Sequence, residues 1–462
     1  MENANEGPGL LTFGFQRRNI HDCRMATERI GFMRQSKRWK IAVCIAASAV
    51  MTACRIIPTS DTSEPSPHLL QQVSAYLQAD DQEAEALIPS LSNRPIAELE
   101  AAVRRVLERS FQKSVPTGIQ PGRSIRVGND TMRYGLYVPS SYDPSRSYPL
   151  ILCLHGVGFD GDTYLDRWQP RLGEDYLLAC PTMEEAEWWT RRGEALVLAV
   201  LSEVSHTYHV DPDRVFLTGM SNGGIGTYLI GLNHTDRFAA LMPMAGAFPT
   251  ALFPLLDNAK NTPLYIIHGS KDQVMPVQYS RDVEAYLKRN DYPVTYREHD
   301  RVHPMAGGHY FPREELPDLL TWIKTQQRTA EPRELVVVRD RDHPGRDAWV
   351  RIDEIDSAAG SFWESEHHPE EGRRLQRGAY GRLKARVSGN TIFVTVDKII
   401  RYSLLIPPDF VDWKKPVLVF TNGRVSFEQL LQPDSRSLLE EARHRPDPRQ
   451  IVFSTIEIRV FP

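Results

Sequence analysis

Hydrophobic positions along this chain change their spacing three times, and each change marks a different kind of structure. Residues 41–53 are largely apolar and follow a basic cluster of Arg34, Lys37, Arg38 and Lys40. The stretch is too short to cross a bilayer comfortably but suits the core of an export signal. Over 68–111 the spacing becomes helical. Leu69, Leu70, Val73, Tyr76 and Leu77 recur at intervals of three and four. Pro89 and Pro95 are expected to break the run. Over 97–111, Leu99, Ala102, Val103, Val106 and Leu107 share one face.

From Ser124 short apolar runs alternate with amphipathic stretches. The pattern predicts strands over 132–138, 150–154, 177–180, 215–218, 239–244, 264–267 and 294–298. It predicts helices over 194–208, 223–232, 277–289 and 312–326. Such alternation implies a mostly parallel sheet covered on both faces. Residues 329–346 are charged and interrupted by Pro, which reads as a linker. Beyond them the helical spacing nearly vanishes. Strands are expected over 349–352, 383–387, 391–396, 400–406, 416–420 and 451–460, with turns at Gly389-Asn390 and Asn422-Gly423. That texture predicts an antiparallel, all-β sandwich-like domain.

The expected organisation is therefore an N-terminal extension and signal (1–53), a tether (54–67) and a helical segment (68–115). A catalytic α/β domain (116–328), a linker (329–346) and a β domain (347–462) follow. A length of 462 residues supports several cores. A net charge of −4 gives no global attraction to nucleic acid. The five cysteines match no zinc or CxxC spacing. Cys153 and Cys180 read as buried strand residues, with a disulfide between them as the alternative. No metal constellation and no phosphate-binding Gly loop is seen, so no metal or cofactor is expected.

The apolar stretch ends in Met51-Thr52-Ala53-Cys54. Small residues just before a cysteine resemble the lipobox of bacterial lipoproteins, although Met51 stands where Leu is usual. The resemblance implies a lipid on Cys54, membrane attachment through it and a cell-envelope location. An ordinary secretory signal or an uncleaved anchor is the alternative. Residues 1–32 do not look like the start of a signal, and Met33 offers a second candidate start.

The chemistry centres on Gly219-Met220-Ser221-Asn222-Gly223, a GxSxG motif between a predicted strand and a predicted helix. There a serine is held on a turn so sharp that its neighbours must be small. A serine hydroxyl needs a base, and the base needs an orienting acid. Asp272, just past the 264–267 strand, is the candidate acid, with Asp282 and Asp291 as weaker rivals. His309, in Gly307-Gly308-His309, is the candidate base, with His303 behind it. The backbone N–H groups of Asn222 and Val157 are the candidate oxyanion donors. His155 reads as structural. Trp188 and Trp189 lie in a loop where exposed aromatics would border a substrate pocket; simple packing is the other reading.

His155-Gly156, Asp211-Pro212-Asp213-Arg214-Val215, Gly219–Gly224, Arg237-Phe238-Ala239-Ala240 and His268-Gly269-Ser270-Lys271-Asp272 together resemble the bacterial phospholipase/carboxylesterase-like hydrolases. Neighbouring groups are polyhydroxybutyrate depolymerases, feruloyl esterases and prolyl-oligopeptidase-like enzymes. The likeness covers residues 131–327 and implies the α/β-hydrolase fold and an acyl-ester substrate. Asn222 departs from the usual Met or Gln, and the His309 loop is shorter than the family's. The expected function is serine-dependent hydrolysis of a carboxylic ester, on an acylated polysaccharide or a small ester. A prolyl-oligopeptidase-type peptidase is one alternative, although 55–123 is short for a propeller. A glycan-binding protein acting through Trp363 and Trp413 is another.

Overall fold

The computed structural model describes residues 64–108, 115–366 and 368–461. The basic cluster, the 41–53 stretch, Cys54 and both candidate starts lie outside the described residues. Residues 64–462 form one compact unit. Among the described residues no helix is long and apolar enough to cross a membrane.

The unit begins with helices α1 (Pro67–Gln78), α2 (Asp81–Ser92) and α3 (Ile96–Leu107). Ser66 and Asp80 cap the first two, accepting from the N–H of Leu69 and Glu83. Pro89 does not break α2 as expected but lies inside it. Both Pro89 and Glu85 are exposed, so the carbonyl that Pro89 leaves unpaired on the preceding turn can face water.

A mixed, mostly parallel sheet follows. Its elements in chain order are β1 (Gly118–Val127), β2 (Asp130–Val138), β3 (Tyr148–Leu154), α4 (Gly161–Leu172), β4 (Leu177–Thr182), α5 (Arg191–Thr207), β5 (Val210–Met220) and α6 (Asn222–Asn233). Then come β6 (Ala240–Met244), β7 (Leu264–Gly269), α7 (Gln278–Arg289), β8 (Val294–His299) and α8 (Leu316–Ile323). The strand order is β1-β2-β4-β3-β5-β6-β7-β8. β2 is antiparallel to β1 and β4, and the strands from β4 to β8 are mutually parallel. This is the α/β-hydrolase architecture. β3 is buried along its whole length, because helices cover both faces of the sheet. Cys153 and Cys180 lie in that core as free thiols, not as a disulfide.

The segment read as a linker is ordered. It contains β9 (Glu334–Arg339) and β10 (Gly345–Asp347). Leu335 and Val337 enter the core of the C-terminal region, while Val336 and Val338 enter that of the hydrolase. A strand buried on both faces but flanked by charge and Pro resembles a linker in sequence. The rest is β11 (Val350–Ile355), α9 (Pro369–Gln376), β12 (Gly381–Ser388), β13 (Thr391–Asp397), β14 (Ile399–Ile406), β15 (Val417–Thr421), β16 (Arg424–Gln429), α10 (Ser435–His444) and β17 (Ser454–Arg459). These strands form two sheets, β10-β11-β14-β17 and β16-β15-β13-β12-β9, enclosing one core. The sandwich is thus observed, with two corrections. β13 and β15 pair in parallel, and α9 and α10 make the region not purely β.

α10 also decides where the helical segment goes. Leu69, Val73, Tyr76, Leu99 and Val103 share a core with Leu438, Leu439 and Ala442 of α10 and with Phe453. The segment therefore packs on the C-terminal region and covers the apolar stripe of α10.

Buried charges join the hydrolase to the β sheets. Arg328 binds Asp213 and Asp447. Asp236 pairs with Arg445. Arg339, 2% exposed, donates to the Asn233 carbonyl and to Asp347. Removing one member of such a pair strands the other charge, at about 3–5 kcal/mol. Arg339→Met is expected to lower unfolding stability by about 3 kcal/mol at neutral pH. Urea denaturation should still give a single transition for residues 64–462; a separate early transition would contradict the shared core.

Candidate active site

Ser221 sits between β5 and α6 with φ 59° and ψ −122°, a strained conformation for a residue with a side chain. Backbone contact permits the turn only because its neighbours are glycine. A Cβ on Gly219 would lie 2.3 Å from the Gly223 carbonyl oxygen, and one on Gly223 would lie 2.1 Å from that of Leu154. The Ser221 N–H donates to the Met244 carbonyl at 3.0 Å, tying the turn to β6. Its side chain stands at the amino end of α6, where the helix favours developing negative charge.

Asp272 and His309 meet. His309 Nδ1 donates to Asp272 Oδ2 at 2.7 Å, across two loops that leave the carboxyl ends of β7 and β8. Asp272 Oδ1 accepts from the N–H groups of Val274 and Met275, each at 2.8 Å. Burial raises the cost of ionising Asp272, but hydrogen bonds from His268, His309 and the Met275 N–H outweigh it. They hold its carboxyl well below the usual range. Gly308 makes the approach possible: a Cβ there would lie 2.5 Å from the Asp272 nitrogen. The rivals do not join. Asp282 accepts from Gln278 on α7, and Asp291 takes a positive φ of 56° at the turn after that helix. His303 closes a turn by exchanging backbone hydrogen bonds with Gly307, and its ring accepts from the Met305 N–H.

His268, quoted only as part of a motif, proves central to the acid. Its Nε2 donates to the Met275 carbonyl at 2.9 Å and lies 3.3 Å from Asp272 Oδ2. Its Nδ1 meets the Ser280 hydroxyl at 2.7 Å. The sequence shows His268 as the next-to-last residue of an apolar strand, which signals burial but not this partner.

On the other side of Ser221, His155 is buried and structural. Its Nε2 accepts from the Met183 N–H at 3.0 Å, and burial lowers its basicity. A Cβ on Gly156 would lie 3.3 Å from Ser221 Cβ, so this loop passes directly over the serine. The Gly156 N–H is taken by the Tyr164 hydroxyl at 3.2 Å. The next amide, Val157, and that of Asn222 make no hydrogen bond to another described residue. The Ser221 hydroxyl likewise has no hydrogen-bond partner among the described residues, His309 included. Contacts of this kind often tighten only around substrate.

For Trp188, packing is the reading that the structure takes. Trp188 is fully buried, packing its Cβ over Gly226 and donating Nε1 to the His155 carbonyl at 2.8 Å. Trp189 is half-buried and lines a small cleft, about 20 Å³, with Glu194, Asp340, His343 and Trp363. Ser221, Asp272 and His309 do not line that cleft. The loop folds inward because Gly226 leaves room for an indole.

Fold and site define the class as an α/β-hydrolase, and the similarities of the chain run to ester hydrolases. The phospholipase/carboxylesterase family matches residues 192–327. A protein named probable feruloyl esterase C, from Aspergillus terreus, is 28% identical over 185 residues, 37% of this chain and 67% of its own. Feruloyl esterase C of Emericella nidulans is 29% identical over 31% of this chain and 56% of its own. A bifunctional acetylxylan esterase/xylanase of Neocallimastix patriciarum is 26% identical over 33% of this chain but only 23% of its own. Among solved structures, a thermostable esterase matches at 23% identity and a TM-score of 0.40, over 45% of this chain and 62% of its own. The chain thus spans between about a quarter and two-thirds of the length of these curated relatives.

The depressed Asp272 carboxyl has a measurable consequence. Its stabilisation is present above the unfolded carboxyl value of about 3.9 and is lost as pH falls through the folded value. Asp272→Asn is expected to destabilise the protein by about 1–3 kcal/mol at pH 7. The deficit should shrink at pH 3, as read by denaturant midpoints at the two pH values.

Proposed function

We propose that the protein hydrolyses a carboxylic ester through an acyl-enzyme on Ser221. The observation that carries this reading is the 2.7 Å Asp272–His309 hydrogen bond, at the same carboxyl end of the parallel strands as the strained Ser221 turn. With Nδ1–H engaged by Asp272, His309 presents Nε2 to take the Ser221 proton as oxygen attacks the ester carbonyl. The negative charge that develops on that carbonyl oxygen is met by the N–H groups of Val157 and Asn222. His309 returns the proton to the leaving alcohol. It then activates a water that releases the acid.

The substrate is an acylated polysaccharide or a small ester outside the cytoplasm. The names of the relatives, feruloyl esterase and acetylxylan esterase, support this class. Export and a lipid on Cys54 belong to the same reading, supported by Met51-Thr52-Ala53-Cys54 behind an apolar stretch. Labelled palmitate should enter the wild-type protein in a bacterial host and fail to enter Cys54→Ser.

Ser221→Ala is expected to lower kcat on 4-nitrophenyl acetate by about 10⁶-fold, and Asp272→Asn by about 10⁴-fold. Stopped-flow and long-time-course assays would read both. Unchanged turnover in Ser221→Ala would remove the nucleophile assignment.

A further inference from the structure

Several partly or fully buried arginines elsewhere have carboxylates: Arg328 with Asp213 and Asp447, Arg339 with Asp347, and Arg346 and Arg351 with Glu441. Three beside the candidate active site do not. Arg167 and Arg171 lie on α4, the helix that follows the His155–Gly158 loop, and Arg313 lies just beyond His309. No described carboxylate forms an ion pair with any of the three.

Aromatic rings set the places of Arg167 and Arg171 instead, and Arg313 follows two residues after one of those rings, Phe311. Arg167 lies 4.2 Å from the centroid of Phe159. Arg171 lies 5.6 Å from the Trp168 ring and 5.4 Å from the Phe311 ring, and these two rings stack 5.5 Å apart at 9°. The Arg171 Nε is buried and has no hydrogen-bond partner. Burial makes Arg171 easier to deprotonate, and the charges of Arg313 and Arg167 push the same way. Arg171 thus feels two neighbouring positive charges and has no carboxylate paired with it.

The cluster also touches both catalytic loops. Phe159 is two residues past Val157, and Phe311 is two past His309. Two residues of chain span at most about 7 Å. The arginines therefore belong to segments that continue directly from the Val157 and His309 loops, so a group held by them would sit beside the ester and not at the reacting bond. Guanidinium is suited to carboxylate through paired N–H donors. Phe159, 40% exposed, leaves the Arg167 side open to solvent.

We propose that Arg167, Arg171 and Arg313 form a subsite for a carboxylate next to the ester, so that the preferred substrate is an acylated acidic glycan. The inference rests on the ester-hydrolase reading above. The competing account gives Arg171 only a structural task, stacking on aromatics in the last turn of α4.

The test compares an acetylated uronic-acid oligosaccharide with the same compound after its carboxyls are reduced to alcohols, and uses 4-nitrophenyl acetate as a neutral reference. For the wild type we expect KM on the acidic compound to be about tenfold or more below that on the reduced one. The difference should fade in about 0.5 M salt, where screening is short-ranged. In Arg171→Gln and in Arg313→Gln the ratio of kcat/KM between the two compounds should fall toward one, and Arg171→Lys should recover part of it. A ratio cancels any loss common to both substrates, and Arg313 is exposed, so its variant reports even if Arg171→Gln folds poorly. Equal KM values with both compounds cleaved would overturn the subsite and leave the esterase intact. An unchanged ratio in both glutamine variants would do the same. Cleavage of no ester at all, 4-nitrophenyl acetate included, would overturn the esterase reading and the subsite with it.

Discussion

Backbone touching backbone around Ser221 is the constraint on which the rest of the site depends. The Leu154 carbonyl at the end of β3, the Gly219–Gly223 turn and the Met244 carbonyl of β6 meet at distances that admit no side chain. A Cβ on Gly224 would lie 2.7 Å from the Met244 oxygen, and one on Gly223 only 2.1 Å from that of Leu154. Side-chain packing can relax by rotamer changes; main-chain contact of this kind cannot. The turn, the start of α6 and the loop over the serine are therefore fixed as one piece. Asp272 and His309 follow the same rule, since Gly269 and Gly308 bring their loops into contact: a Cβ on Gly269 would lie 2.2 Å from the Gly308 oxygen.

The opposite ends of the same strands carry a different kind of constraint. Asp213 at the start of β5 and Asp236 just before β6 meet arginines from the C-terminal half of the chain. Asp236, Arg328 and Arg445 are buried, so each is tolerated only with its partner. The β sheets thereby brace the hydrolase from the end away from Ser221. The two tryptophans that made the β region look like a glycan binder are used internally. Trp363 donates to the Trp189 carbonyl, and Trp413 donates to that of Pro408 and packs on Phe453. Asp340 and His343, at the end of β9, form a further link: His343 pairs with Asp340 and approaches Glu194 of α5.

What the sequence made legible was whatever is local or periodic. The apolar strands β3 to β7 and the turn around Ser221 are legible because burial and the elbow impose themselves on neighbouring residues. β1 escaped because its residues are mostly exposed or half-exposed and carry Pro121 and two glycines. α4 escaped because its covering face, Tyr164, Leu165, Trp168 and Leu172, is embedded in polar residues and Pro170. β9 looked like a linker because its two faces serve two different cores. For Trp188 the choice between exposure and packing stayed open because the glycine that receives it, Gly226, is distant in sequence. In each case the deciding partner lies elsewhere in the chain, where spacing carries no signal.

The same reasoning explains why His309 was the least legible member of the site and yet is firmly held. Nothing in Gly307-Gly308-His309-Tyr310 specifies a direction for the ring. Direction comes from four separate contacts. The His303–Gly307 exchange closes the loop, and Gly308 lies against the Asp272 backbone. The Tyr310 carbonyl accepts from buried His299, and Phe311 stacks on Trp168 of α4. Asp272 then selects which ring nitrogen carries the proton, and its own carboxylate is fixed by His268 and two backbone amides. Phe311 also bears Arg171, so the segment that positions the base is continuous with the cationic cluster. A group bound at those arginines therefore rests on the same stack that orients the imidazole. On the proposed reading, recognition beside the ester and orientation of His309 would depend on one packed pair of rings.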